Sequence, residues 1–217
     1  MSRPAFYPRT STSYALAGCA AVLFVALFRY RGLGPLDFWW WIGLNIALLC
    51  GSAAALDRKL LATVKEDARN GGVRKAALGL GAAALLYGLF FLGRFVSVRL
   101  LPFAAGDIQA VYALKAGASP LRIVLLLAFL IGPGEEFFWR GTLQRTWSAR
   151  LGRVPGFLLA TLLYTLVHVA SGNAMLVTAA AVGGVFWGFL YLRTNSVLLT
   201  AVSHTAWDLL VFILLPL

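Results

Sequence analysis

Seven long apolar stretches recur along this 217-residue chain, and they constrain its fold more than any other feature. A helix needs about 20 mostly apolar residues to cross the roughly 30 Å of hydrocarbon in a bilayer. The stretches occupy about residues 14–28, 36–56, 76–98, 119–139, 154–170, 174–192 and 196–217. Because 60% of the residues are hydrophobic and only 12% are charged, a soluble globular core does not explain them. The sequence therefore predicts an all-α bundle of about seven transmembrane helices, a single integral membrane domain over residues 1–217.

The basic residues lie unequally on the two sides of this predicted bundle. Thirteen of the 19 Lys and Arg residues fall on the side of the N-terminus, and at most six fall on the other. Since Lys and Arg near the ends of spans stay in the cytoplasm, we predict a cytoplasmic N-terminus and an external C-terminus. The net charge of +11 then reflects topology and some affinity for anionic lipid, and no nucleic-acid partner is expected. The thirteen are Arg3, Arg9, Arg58, Lys59, Lys65, Arg69, Arg74, Lys75, Arg140, Arg145, Arg150, Arg153 and Arg193.

Acids and histidines are nearly absent from the apolar stretches, except in three clusters of the C-terminal half. The clusters contain Glu135, Glu136 and Arg140; then Tyr164 and His168; then His204 and Asp208. The chain has only two histidines, and both belong to these clusters. An ionisable group at membrane depth is costly and usually serves a function, so these clusters are the candidate site.

The spacing within the first cluster separates its two acids. Glu136 and Arg140 are four residues apart and can pair along one helix face, whereas Glu135 points about 100° away around the axis. We predict that this pair neutralises one carboxylate and leaves Glu135 free for chemistry. Pro133 cannot donate to the helical hydrogen bonds, so a kink or restart of the helix is expected just before Glu135.

The helical hairpin of the fourth and fifth spans predicts that the clusters lie at a similar depth in the membrane. If the fourth and fifth spans are antiparallel around a turn at residues 152–153, Glu135 and His168 lie side by side. If Arg140 marks the cytoplasmic interface, Glu135 lies about 7.5 Å deeper at 1.5 Å per residue, and His204 is roughly 12 Å from the same side. The sequence thus predicts one shallow intramembrane pocket that opens toward the cytoplasm.

The three motifs, in this order on successive spans, resemble those of the CAAX prenyl endopeptidases and bacteriocin-processing intramembrane proteases. They are Glu-Glu-x-x-x-Arg at 135–140, aromatic-x-x-x-His at 164–168 and His-x-x-x-Asp at 204–208. The resemblance covers a family-like catalytic core of about residues 119–217. It implies an endopeptidase that acts within the membrane on a membrane-associated peptide or lipidated protein, of the CAAX, sorting or leader type.

Two positions depart from the usual pattern of that family. Tyr164 stands where Phe is usual, which is a minor change. Asp208 stands where Asn is common, and an ionised carboxylate cannot donate a hydrogen bond to an oxyanion as an amide can. Asp208 is therefore expected either to orient His204, one helical turn away, or to be protonated in the site.

The resemblance also implies roles for the site residues. Glu135 would be the general base that activates a water, and His168 would help to hold that water. His204 and Asp208 would bind or polarise the oxygen of the scissile carbonyl, while the Glu–Arg pair would hold the surrounding helix. This mechanism needs no cofactor, and we favour it over a metal site.

A metal-dependent mechanism is the alternative within the same family. Glu135, His168, His204 and Asp208 offer carboxylate and imidazole donors suited to zinc or another divalent ion. No spacing among the four demands a metal, and the paired glutamates with their arginine are typical of a site that controls protonation.

Two other classes of function are compatible with buried carboxylates and histidines in a membrane bundle. A proton-coupled transporter is one, although the chain shows no duplication and its buried charges cluster near one face. A non-catalytic scaffold of the same family is the other, and the presence of Glu135, His168 and His204 argues against it. The first span lacks a cleavage pattern and the loops are short, which favours a bacterial inner membrane.

Overall fold

The computed structural model describes residues 10–57 and 59–217. Arg3, Arg9 and Arg58, which contribute to the prediction of orientation, lie outside the described residues. Over the described ranges the chain is almost entirely helical. A short antiparallel hairpin pairs β1, Gly32–Leu33, with β2, Leu36–Asp37.

The helices follow one another with short connections. They are α1 Thr10–Tyr30, α2 Phe38–Leu56, α3 Leu60–Arg69, α4 Gly72–Leu100, α5 Ala104–Ala113, α6 Pro120–Leu126, α7 Gly132–Phe138, α8 Arg145–Leu151, α9 Arg153–Val169, α10 Ala174–Thr194 and α11 Val197–Leu209. Three π-helical turns, in which backbone hydrogen bonds span five residues, extend or join them. These turns are Leu127–Ile131, Trp139–Gln144 and Leu210–Leu214.

Five of these helical segments are long and apolar enough to cross a membrane. Within the described residues they are Ser11–Tyr30, Phe38–Leu56, Gly72–Leu100, Ala174–Thr194 and Val197–Leu214. Helix α9 is apolar but has 17 residues. The predicted fourth span corresponds to α6, α7 and α8, which carry the paired glutamates. The chain is thus an all-α integral membrane protein, while the count of seven spans and the orientation stay predictions.

The up-and-down course of the helices gives the bundle two ends. One end, called the α3 end, holds α3, the turn between α8 and α9, and the turn between α10 and α11. The other, called the α5 end, holds α5, the β-hairpin and the turn between α9 and α10. Side-chain oxygens cap the helices that start at the α5 end, since Asp37, Ser119 and Asn173 accept from the first turns of α2, α6 and α10.

The helix that carries the glutamates does not break at Pro133. It continues from Pro120 to Leu151 through two π-helical turns, so the expected restart is replaced by local widening. The backbone N–H of Gly132 donates to the oxygen of Leu127, five residues earlier, just before the proline. This wider turn accommodates Pro133, which has no N–H donor, and the chain stays helical.

Glycines let α7 approach its neighbours closely. A Cβ atom at Gly132 would lie 2.5 Å from the Thr205 hydroxyl on α11, and a Cβ at Gly134 would collide with Ile46 on α2. Helix α7 is therefore held between α2 and α11. This packing brings the two glutamates next to the histidine of α11.

Candidate active site

Helix α7 turns its two adjacent glutamates into different surroundings. Glu136 is fully buried, and its Oε1 accepts a hydrogen bond from Arg140 Nη1 at 2.7 Å. The same oxygen lies 2.8 Å from Nδ1 of His204 on α11. The predicted pairing of Glu136 with Arg140 is present, and Glu136 has a second partner that the sequence did not indicate. It therefore joins α7 to α11.

Arg140 lies inside the bundle, with 2% of its surface exposed. Its Nη2 donates to the backbone oxygen of Gly184 on α10 at 3.2 Å. The guanidinium lies 5.1 Å from the ring centre of Tyr164 and 5.8 Å from that of Trp187. The helix continues to Leu151, about 16 Å farther along, and the prediction that Arg140 marks the cytoplasmic interface stays a prediction. Arg140 neutralises a buried carboxylate and ties it to α10.

His204 is held from three directions. Its Nδ1 faces Glu136, its Nε2 lies 3.7 Å from Oδ2 of Asp208, and its ring stacks on Trp187 with centroids 3.7 Å apart. The planes of the two rings differ by 20°, and Nε1 of Trp187 donates to the Ser203 hydroxyl at 3.2 Å. Because the Glu136 carboxylate accepts from Nδ1, the Nε2 edge of the ring faces Asp208.

His168 is oriented by its own helix. Nδ1 lies 2.7 Å from the backbone oxygen of Tyr164, which can only accept, so Nδ1 carries the hydrogen and Nε2 is left as an acceptor in the neutral ring. The imidazole packs against Phe28 of α1, with ring centroids 4.7 Å apart. The Tyr164 side chain lines the same cavity as Glu135. The second motif thus positions both a histidine and a hydroxyl near the free glutamate.

The three clusters meet at one cavity of about 430 Å³. Glu135, Tyr164, His168, His204 and Asp208 all line it, together with apolar and aromatic side chains. Oε2 of Glu135 is buried and has no hydrogen-bond partner within residues 10–57 and 59–217. The arrangement leaves one carboxylate oxygen available to a water or substrate beside two imidazole rings.

A comparison with protein families agrees with this geometry. Residues 117–210 match the family described as Type II CAAX prenyl endopeptidase Rce1-like. This region is similar to the Rce1-like family. No curated protein and no solved structure matches the chain. The family is one of CAAX-type intramembrane proteases, and it implies a membrane-associated peptide as substrate.

The cavity of the Rce1-like region extends toward the α5 end. Its wall includes Ser97 near the end of α4, Tyr112 of α5 and Met175 at the start of α10. Among the described residues, none of its lining side chains comes from α3, α8 or the turns at the α3 end. The orientation of the bundle and the opening of the pocket toward the cytoplasm stay predictions.

The donor atoms proposed for a metal do not form a coordination cluster in the Rce1-like region. In the part of the chain that the structure describes, no group of three or more His, Cys, Asp or Glu side chains is arranged to hold an ion. Nδ1 of His168 faces Tyr164 and Nδ1 of His204 faces Glu136, so each ring has Nε2 as its remaining nitrogen, and metal-bound histidines are commonly oriented in this way. The metal-dependent alternative with Glu135, His168, His204 and Asp208 as ligands stays a prediction.

Sequence reasoning missed two features of this Rce1-like site. One is the contact between Glu136 and His204, which joins two motifs 68 residues apart and leaves no local pattern. The other is Trp187, which stacks on His204 and lies on none of the three motifs. The position of Trp187 could have indicated a special role. Tryptophans concentrate at membrane interfaces, whereas Trp187 lies well inside the predicted span that became α10.

Proposed function

We propose that the chain is an intramembrane endopeptidase in which Glu135 activates a water molecule. The observation that carries this proposal is the contrast between adjacent carboxylates. Oε1 of Glu136 is occupied by Arg140 and His204, whereas no described residue forms an ion pair with Glu135. Oε2 of each glutamate lacks a hydrogen-bond partner among the described residues, but only Glu135 lines the cavity that two histidines also line. A general base must reach a water that in turn reaches the substrate, and of the two carboxylates only that of Glu135 lines the cavity.

In the proposed reaction, Oε2 of Glu135 takes a proton from water as the hydroxide attacks the scissile carbonyl carbon. Nε2 of His168 accepts the other hydrogen of the same water and so orients it. The carbonyl oxygen becomes an oxyanion, which His204 stabilises from its Nε2 edge in the imidazolium form. The carbon–nitrogen bond then breaks, and the proton held by Glu135 passes to the leaving amine.

Glu136 and Arg140 are positioning residues in this proposal. Glu136 accepts from Nδ1 of His204, which directs Nε2 toward the space where the oxyanion forms. Arg140 compensates the charge of Glu136 and holds it against α10 through Gly184. Because Glu136 is fully buried and does not line the cavity, its charge would be strongly unfavourable without such a partner.

The remaining features of the proposal concern substrate and membrane. The substrate is a membrane-associated peptide of the CAAX, sorting or leader type, and anionic lipid contacts the basic residues of the α3 end. The proposal also includes seven spans, a cytoplasmic N-terminus and a bacterial inner membrane. The two spans besides the five long apolar segments are α6 to α8, taken together, and α9.

Glu135→Gln tests the function directly, because the amide keeps the shape of the side chain but cannot accept the proton. General-base removal is expected to lower kcat by about 10²–10⁴-fold. The measurement uses protein in lipid nanodiscs and a pool of fluorogenic peptides with an apolar core. Glu66→Gln, the same change at an exposed position of α3, is the matched control and should cleave like the wild type.

Two further outcomes separate the competing proposals. Exhaustive chelation should leave wild-type cleavage unchanged, whereas loss on chelation and recovery with zinc would establish the metal-dependent alternative. Wild-type cleavage that persists in Glu135→Gln would overturn the assignment of the base. If the wild type cleaves nothing in the pool, the transporter and scaffold interpretations replace the peptidase.

A further inference from the structure

One hydrogen-bond donor on the cavity wall has no acceptor in the part of the chain that the structure describes. Trp207 of α11 lines the cavity together with His204 and Asp208, and its Nε1 atom is buried and unpartnered. Nε1 of Trp139 is also unpartnered, but Trp139 does not line the cavity. An indole N–H can only donate, and a buried donor without an acceptor is unfavourable. A group that enters the cavity can supply the acceptor for Trp207.

Aromatic contacts fix the position of the Trp207 ring. It meets the ring of Phe90 on α4 edge to face, with centroids 4.7 Å apart, and it meets the ring of Trp187 on α10 in the same way at 5.5 Å. Trp187 in turn stacks on His204. The donor is therefore held in place before a substrate binds, so its use in a reaction requires little rearrangement.

The α11 side of the cavity needs a donor besides His204. In the proposed reaction Nε2 of His204 donates to the oxyanion. Asp208 lies one residue beyond Trp207, with Oδ2 3.7 Å from that nitrogen, and an ionised carboxylate accepts hydrogen bonds but donates none. Trp207 is the neighbour on the same helix that carries a donor.

Most other hydroxyl and indole donors of the cavity wall are already in use. Those with an acceptor of their own are Ser97, Tyr112 and Thr178, whose hydroxyls donate to backbone oxygens, and Trp39 and Trp187, whose indoles donate to a backbone oxygen and a serine. Tyr164 shares α9 with His168, the histidine proposed to hold the water. Of the described indoles that line the cavity, that of Trp207 alone has no acceptor.

We propose that the indole N–H of Trp207 donates to the carbonyl oxygen of the scissile bond as that oxygen becomes negatively charged. This inference rests on the proposed peptidase function and adds a catalytic residue at a position that the third motif leaves open. As the water oxygen bonds to the carbonyl carbon, the electron pair of the double bond moves onto the carbonyl oxygen. Trp207 keeps its proton and stabilises this charge beside Nε2 of His204. When the double bond forms again, the carbon–nitrogen bond breaks and the leaving amine takes the proton from Glu135.

Trp207→Phe removes the donor and keeps an aromatic ring between Phe90 and Trp187. Because the oxyanion loses one hydrogen bond, kcat should fall by about 10²-fold. KM should change little, since the bond forms in the transition state and not in the bound substrate. The measurements are the kinetics of one peptide that the wild type cleaves in nanodiscs, and thermal unfolding in detergent.

Trp147→Phe is the matched control. The Trp147 indole donates to the Ser13 hydroxyl at 3.1 Å and does not line the cavity. This variant should keep the kcat of the wild type but unfold at a lower temperature than Trp207→Phe, because it loses a hydrogen bond that the folded protein makes. If Trp207→Phe is destabilised as much as Trp147→Phe and keeps the wild-type kcat, the Trp207 indole serves packing alone and the inference fails.

Asp208→Asn gives a second test, because it places an amide donor next to His204. In the wild-type background Trp207 already donates, so kcat should change by no more than about threefold. In the Trp207→Phe background the same change should raise kcat by about tenfold or more, since it replaces the missing donor. Equal effects of Asp208→Asn in the two backgrounds would overturn the inference.

A third variant keeps the inference testable if Trp207→Phe does not fold. Replacing the indole of Trp207 by benzothiophene puts sulfur where the indole has N–H and keeps the size of the ring. A wild-type kcat in this variant would contradict the inference and leave the peptidase proposal standing. The peptidase proposal fails separately, through cleavage that persists in Glu135→Gln or a wild type that cleaves nothing.

Discussion

Two regions that meet at α7 differ in how their polar groups are used. In the cluster around Glu136, the carboxylate contacts Arg140 and His204, and Arg140 in turn reaches Gly184. In the cavity around Glu135, the carboxylate has an unpartnered oxygen and mostly apolar neighbours. The first region holds helices together, and the second leaves space for a reaction.

The difference arises from one step of the helix. Adjacent residues on a helix point about 100° apart, so Glu136 faces α11 while Glu135 faces the cavity. Because one carboxylate is fixed in the bundle, the neighbouring one can stay free without disordering the helix. A pair of adjacent acids in a membrane span can therefore divide structural and chemical roles.

The largest expected effect on stability comes from Glu136→Gln, which weakens the cluster around Glu136. The change leaves Arg140 buried without its charge partner, and breaking a buried ion pair typically costs roughly 3–5 kcal/mol of stability. Cleavage should also fall, because His204 loses the carboxylate that orients it. Thermal unfolding in detergent and cleavage in nanodiscs measure the two effects.

Glu135→Gln is the matched comparison for stability. It should unfold within a few degrees of the wild type, because the Glu135 carboxylate has no charge partner to lose. If Glu136→Gln is as stable as Glu135→Gln, the two regions do not differ in the way described.

A smaller effect is expected at the boundary between the regions, where Trp187→Leu removes the stacking partner of His204. Aromatic stacking is worth about 0.5–1.5 kcal/mol, so kcat should fall by up to about tenfold while KM changes little. Trp187→Phe keeps a ring and should retain most of the activity, although it loses the hydrogen bond to Ser203. Equal activity of both variants and the wild type would show that stacking does not position His204.

The smallest effect is expected from Asp208→Asn on the cavity side. Oδ2 of Asp208 is 3.7 Å from Nε2 of His204, too long for a hydrogen bond, so the amide should keep the shape and add a donor for the oxyanion. Turnover should stay within about threefold of the wild type. A loss of about tenfold or more, measured with the same peptide pool, would instead assign the carboxylate to orienting His204.

Local patterns in the sequence predicted much of the site. The four-residue spacing of Glu136 and Arg140 predicted their pairing, and the two histidines in apolar spans indicated which helices meet. The sequence did not predict that Arg140 is buried inside the bundle, since a charge inside an apolar span can mark an interface or a buried pair. The sequence alone does not distinguish the two, because the partner backbone at Gly184 is 44 residues away.

The sequence by itself determined the membrane-spanning helical fold, the similarity of residues 117–210 to the Rce1-like family and the residues gathered at the cavity. Hydrophobic length and short motifs are local properties, and a lipid environment permits few backbone structures besides helices. Only the tertiary structure decided that the cavity extends toward the α5 end, that Glu136 contacts His204 and that Trp187 stacks on the same ring. These depend on the axial offset and rotation of packed helices, which are set by close contacts such as those of Gly132 and Gly134 and not by spacing along the chain.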